Sequence, residues 1–168
     1  MAEGTATLAY LLLWGLIATV VMTTVLQASL GLHLSRMSLP FLVGAFFTND
    51  RQWALIVGFV VYMIGGWLFA FFYFFVFASV KIYTWWFGAL CGFLHGAILI
   101  VFALPLLPVV HPRMASEYHG VTLRRQLEPP GFLGLNYGRG TPLTTLIAQI
   151  LYGATLGGFL QLQQVQAL

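Results

Sequence analysis

Four long apolar stretches dominate this chain and leave little else for it to fold around. They cover about 7–31, 53–80, 83–107 and 143–162. Each reaches the roughly 20 apolar residues that a helix needs to cross the hydrocarbon core of a bilayer. Lipid offers the backbone no hydrogen-bonding partner, so such stretches must fold as helices that satisfy their own N–H and C=O groups. Composition agrees. The chain is 60% hydrophobic and 7% charged, against about 25% charged in a soluble domain. The basic residues are few and flank apolar stretches, where they set orientation rather than bind nucleic acid. The expected fold class is an all-α membrane protein, a single four-helix transmembrane domain over 1–168.

The connections divide into one short and two long. Ser79-Val80-Lys81-Ile82 is so brief that the second and third helices must form a tight antiparallel hairpin, and Trp85 and Trp86 beside it suit an interfacial aromatic belt. Loop 32–52 contains a stretch from Ser38 to Phe47 that is apolar but too short to span, which predicts a short interfacial helix or a shallow re-entrant piece. Thr48-Asn49-Asp50 offers caps for the second span. Pro105 and Pro108 predict the end of the third span. Thr141 and Pro142 read as N-cap and first residue of the fourth. Loop 108–142 has an apolar, proline-rich centre, Pro129 to Tyr137. Disordered linkers are poor in aromatics and leucine, so a structured loop folded on the membrane surface or on the first loop is expected. Gly131, Gly134, Gly138 and Gly140 follow no phosphate-loop pattern and read as turn and backbone-contact residues.

Arginine fixes the expected orientation. Arg36, Arg51, Arg113, Arg124, Arg125 and Arg139 lie in the two long loops, against Lys81 alone on the other side. Positive residues stay inside, so both long loops should be cytoplasmic and both termini exterior. The acidic start, Met1-Ala2-Glu3-Gly4, leads into a run longer than a signal core, so no cleaved signal is expected.

Each span carries small or mildly polar residues at four-residue spacing: Gly15, Thr19, Thr23, Gln27 and Gly31; Gly58, Tyr62, Gly66 and Ala70; Gly88, Gly92 and Gly96; Thr145, Gln149, Gly153 and Gly157. Small residues let backbones approach, and Thr or Gln can hydrogen-bond across the contact. The plain reading is packing among the four helices. The sharper one is that Gly88/Gly92/Gly96, facing outward, docks a second copy or another subunit. Phe69 to Phe77 puts aromatics on every side of the second span, so some must face lipid or a partner.

Candidate chemistry is sparse. His95 is an ionisable side chain well inside a span, a functional candidate by default. Beside Gly96, it could ligate haem or a chlorophyll-type pigment, or it could be a neutral histidine bonded to Thr, Gln or a backbone carbonyl. His111, Glu117 and His119 have metal-capable side chains at no known metal spacing. Asp50 and Glu117 could pair with Arg51 and Arg113. Arg113, Arg124, Arg125 and Arg139 could hold lipid headgroups or an acidic partner. Cys91 reads as a packing residue. No nucleophile elbow frames Ser116, so the sequence favours a non-catalytic chain.

Several strings look familiar: His111-Pro112-Arg113-Met114-Ala115-Ser116-Glu117, Leu127 to Gly138, Ser38-Leu39-Pro40 with Phe47 to Arg51, and Trp85-Trp86 with Gly88-Ala89. Together they make most of the chain resemble a group of bacterial four-helix membrane proteins of unknown function. The resemblance implies a bacterial inner membrane and supplies no activity. The expected role is a non-catalytic accessory or assembly subunit of a larger membrane complex, of a bioenergetic or photosynthetic kind, with lipids, other membrane subunits or a second copy as partners and no nucleic acid. The alternatives are a pigment- or haem-binding protein using His95, and a small membrane enzyme or metal-dependent sensor using the loop.

Overall fold

The computed structural model describes residues 2–116 and 120–166. It is all-helical, with helices α1 (Ala2–Gly31), α2 (Leu39–Gly44), α3 (Arg51–Val80), α4 (Trp85–Ile98), α5 (Leu104–Val110) and α6 (Thr141–Gln166). A π-helical turn, Leu99–Ala103, joins α4 to α5, and a 3-10 segment, Phe132–Tyr137, precedes α6. Among the described residues the extended pairing is one isolated bridge, Met114 with Leu127. Four helical stretches are long and apolar enough to cross a membrane: Leu8–Gly31, Arg51–Val80, Trp85–Val110 and Thr141–Gln163. The protein is therefore a multi-pass membrane protein by the length and composition of its helices.

Local chemistry explains the boundaries. Ser38 caps α2, its hydroxyl accepting the Phe41 N–H at 3.4 Å, with Pro40 in the first turn. Asp50 caps α3, its carboxylate accepting the Trp53 N–H at 2.9 Å. The helix consequently opens at Arg51, two residues before the apolar run begins. Lys81 ends α3 in a left-handed conformation (φ 60°), its N–H bonded to Phe77 O at 2.8 Å, and a four-residue link leads into α4.

Two expectations need correction. Pro105 and Pro108 do not end the third span. The Leu104 N–H bonds to Leu99 O, five residues back, so the helix restarts in a shifted register and Pro105 sits in its first turn. A proline there breaks no hydrogen bond, whereas in an uninterrupted helix it would remove one. Pro108 lies inside α5, which ends two residues later, at Val110. Nor does the Thr141 side chain cap α6. Its hydroxyl pairs with Ser35 Oγ at 2.8 Å, and Gly140 O accepts the Thr144 N–H, so the cap position falls at Gly140.

The chain divides into two compact units. Unit 1 comprises 1–25, 63–96 and 146–168. Here α1 meets α3 at Gly15 and Thr19, which lie against Ala70 and Gly66. A Cβ on Gly66 would come within 2.1 Å of Thr19 Oγ1. Helix α4 meets α6 in backbone contact: a Cβ on Gly88 would lie 2.1 Å from Gly153 O, and one on Gly92 2.2 Å from Gln149 O. The threonines do not bridge helices as expected. Thr19 and Thr23 donate to carbonyls four residues back in α1, at 2.7 Å, the partner nearest to hand where water is absent. Bonds across helices come from aromatic side chains, Tyr152 Oη to Gly66 O at 2.5 Å and Trp67 Nε1 to Leu12 O at 3.0 Å, and from a glutamine, Gln161, whose Oε1 accepts the Trp85 N–H at 3.2 Å. The aromatic run on α3 divides by face. Tyr73 and Phe77 are buried, while Phe69, Phe72 and Phe75 are exposed.

Unit 2 comprises 26–62 and 97–145. It holds the end of α1, all of α2, the start of α3, the end of α4, the π-helical turn, all of α5 and the start of α6. Helix α2 lies in backbone contact with α3: a Cβ on Gly44 would fall 1.7 Å from Ala54 O, and one on Gly58 1.8 Å from Pro40 O. The 3-10 segment rests on α5, with Gly134 in a left-handed conformation (φ 73°) facing Leu104. Gly138 and Gly140 pass close to Leu34 O. The long loop is thus folded onto the first loop and onto the helix ends that it covers.

Candidate functional site: an arginine-lined cleft

Two arginines staple the loops of unit 2. Arg36 donates through Nη2 to Asn136 O at 2.6 Å and reaches the Glu128 carboxylate at 3.5 Å, while its backbone N–H bonds to Tyr137 O. The Tyr137 hydroxyl donates to Glu128 O at 2.5 Å. Burial, with the Glu128 carboxylate adding and Arg36 opposing, pushes that hydroxyl up to about 12, so it remains a donor throughout the physiological range. Arg113 makes the second staple. Its Nε and Nη1 donate to the Asn49 side-chain oxygen and to Ala45 O at the end of α2. Two of its five N–H groups are thereby committed, which fixes the plane of the guanidinium.

Beside Arg113 opens a cleft of about 460 Å³. Arg51 at the start of α3, Arg113, and Arg124 from the long loop line it, with Thr48, Asn49 and Gln126 as neutral polar groups. Phe41, Ala45 and Ala54 contribute apolar wall, and Leu123 and Leu127 stand at the loop side. No carboxylate is among its described lining residues. Among the described acids nearby, Asp50 caps α3 and Glu128 faces Arg36. Asp50 serves as a cap and is in no ion pair with Arg51 among the described residues, Arg113 bonds to Asn49 and Ala45, and the expected partner Glu117 lies outside the described residues.

His111 underlies this arrangement. It is 3% exposed, beneath α2, with Phe46 edge-on at 4.3 Å. The Arg113 N–H donates to Nδ1 at 3.2 Å, so Nδ1 carries no proton, and Nε2–H donates to Leu42 O at 3.0 Å. Both nitrogens are occupied, which leaves none for a metal. His119 and Glu117 lie outside the described residues, and the described residues contain no cluster of three metal-capable side chains. Burial pushes the His111 ring below its ordinary range; the Leu42 bond works against this and the Arg113 charge adds to it. The folded state thus resists a proton that the unfolded chain accepts below pH about 6.5. Stability is full above that pH and falls as pH drops through it. The melting temperature in detergent should decline from pH about 7.5 to about 5.5, and His111→Gln should flatten that decline. An unchanged slope in the variant would contradict this role.

The remaining sequence candidates fall elsewhere. Arg125 belongs to the same loop turn, its N–H bonded to Thr122, but does not line the cleft. Arg139 is exposed and also outside it. Gly88, Gly92 and Gly96 face α6, with Gly153 and Gly157 opposite Gly88, so the stripe is occupied within the chain. His95 lies 3.3 Å through Nδ1 from the Tyr73 hydroxyl, and its ring packs against Phe69 at 4.2 Å. The room expected beside Gly96 for a flat ligand is taken: a Cβ there would meet Leu146 at 3.1 Å and Gln149 at 3.2 Å. What the sequence reading missed is Arg51 and Asn49 as members of a site. Their signal, a cap followed by arginine, read as helix start and topology alone.

The fold and the cleft define a multi-pass membrane protein with a cationic recess among the loops of one unit. No protein family, curated protein or solved structure matches the chain.

Proposed function

We propose that this chain works by binding rather than by catalysis, as an accessory or assembly subunit of a larger bacterial inner-membrane complex. Its docking surface is the loop cap of unit 2. The observation that carries this reading is the cleft lined by Arg51, Arg113 and Arg124, with no carboxylate among its described lining residues. Like charges gathered in one recess repel and raise the local potential, and an acidic group relieves both. Arg113, held by Asn49 and Ala45, is oriented before any partner arrives, which lowers the ordering cost of binding. In this reading α2 lies at the membrane interface, and the arginine bias puts the cap on the cytoplasmic side with both termini outside. A C-terminal alkaline phosphatase fusion should then be active and a C-terminal green fluorescent fusion dark; the reverse pattern would invert the orientation. Native purification in mild detergent tests the function itself. The chain should migrate within a larger assembly, and migration only as a free monomer would contradict the proposal.

A further inference from the structure

We infer that the arginine cleft is a phosphate site and that its occupant is the headgroup of an anionic phospholipid. The inference rests on the reading of the cleft as a binding site, but it does not need a protein partner. Guanidinium groups match phosphate oxygens in geometry as well as in charge. Three of them line one recess of about 460 Å³, with the Thr48 hydroxyl and the Asn49 and Gln126 amides beside them. None of the described lining residues is acidic, and an acidic one would disfavour an anion.

Position argues for lipid over a soluble anion. Arg51 opens the 30-residue span α3, so the cleft sits where that helix leaves the membrane, at headgroup depth. The loop edge is aliphatic: Leu123, which lines the cleft, is 94% exposed and Val121 is 78% exposed. Apolar side chains beside arginines on a protruding loop are the pattern of a segment that dips into the interface. On its other side α2 borders a second recess of about 350 Å³, walled entirely by apolar side chains, including Leu42, Phe46, Leu99 and Leu107. Phe41 and Ala45 face the cationic cleft, while Leu39, Leu42, Val43 and Phe46 face the apolar groove. The short helix thus separates a phosphate-binding surface from an acyl-binding one, and a phospholipid presents both chemistries.

The full chain in nanodiscs of equal parts phosphatidylglycerol and phosphatidylcholine gives the test, with native mass spectrometry to count the lipids retained. The wild type should retain phosphatidylglycerol preferentially. The double variant Arg51→Gln/Arg124→Gln should reduce that preference at least about tenfold, since each charge-assisted contact is worth about a factor of ten. Arg139→Gln, outside the cleft, should not change it. A melting curve in phosphatidylcholine alone checks that the double variant folds. If it does not, Arg113→Lys serves in its place, keeping the charge and losing the fork. Equal retention of both lipids by the wild type overturns the inference. So does a loss in Arg139→Gln as large as in the double variant, which would mark unspecific charge attraction. Inorganic phosphate is titrated onto the chain in phosphatidylcholine nanodiscs as a second arm. Stabilisation by free phosphate, with none added by phosphatidylglycerol, overturns the lipid source. Because no partner protein is present, the outcome is independent of whether a larger complex exists.

Discussion

A Gly58→Ala chain will lose the seating of α2 on α3, and the arginine cleft with it. The new Cβ would stand 1.8 Å from Pro40 O, a backbone atom that cannot turn aside. Helix α2 must lift away. It carries Leu42 O, which holds His111, and the segment ending in Ala45 O, which holds Arg113. Losing one packed contact, one buried and one part-buried hydrogen-bond acceptor should cost about 3 kcal/mol. Hydrogen exchange should show loss of protection around residues 39–47 while the amides of α4 and α6 keep theirs. Undiminished protection of α2 would show that its contact with α3 is looser than described.

Gly88→Ala will separate α4 from α6. Its Cβ would lie 2.1 Å from Gly153 O and 3.2 Å from Gly157 Cα, again backbone. In lipid no hydrophobic force holds helices together, so stability there depends on close packing. A forced separation should cost about 2–4 kcal/mol, roughly 5–15 °C in melting temperature for a chain of this size. Gly65 supplies the contrast within the same unit. A Cβ there meets nothing within 4 Å, and Gly65→Ala should be neutral or mildly stabilising, because alanine is the better helix former. Thermal unfolding of both variants in one detergent decides the matter; equal melting temperatures would remove the glycine contact as a source of stability.

The spans were legible because each is a run of apolar residues longer than a soluble core helix needs, and Asp50 was legible as a cap because the helix begins right after it. The third span shows where legibility ends. Pro105 reads as a stop unless the backbone shifts register before it, and the bond from Leu104 to Leu99 that makes the shift has no side-chain signature. Thr141 has the chemistry of an N-cap, but Ser35, far away in the chain, takes its hydroxyl. His95 was legible as an ionisable residue inside a span, but not its partner Tyr73, which lay in an aromatic run of which some had to face lipid or a partner. The cleft was hidden for the same reason. Arg51, Arg113 and Arg124 come from separate segments and carried a sufficient explanation as topology signals. Only the folding of the long loop against the first brings them to one recess.

In the proposed function that recess is the working surface of the protein. Native electrophoresis of the chain purified in mild detergent, wild type beside Arg51→Gln/Arg124→Gln, tests this most directly. The wild type should run within a larger assembly, and the variant, with its melting temperature unchanged, should run as the free chain. A variant that stays in the assembly, or a wild type that runs free, would contradict it.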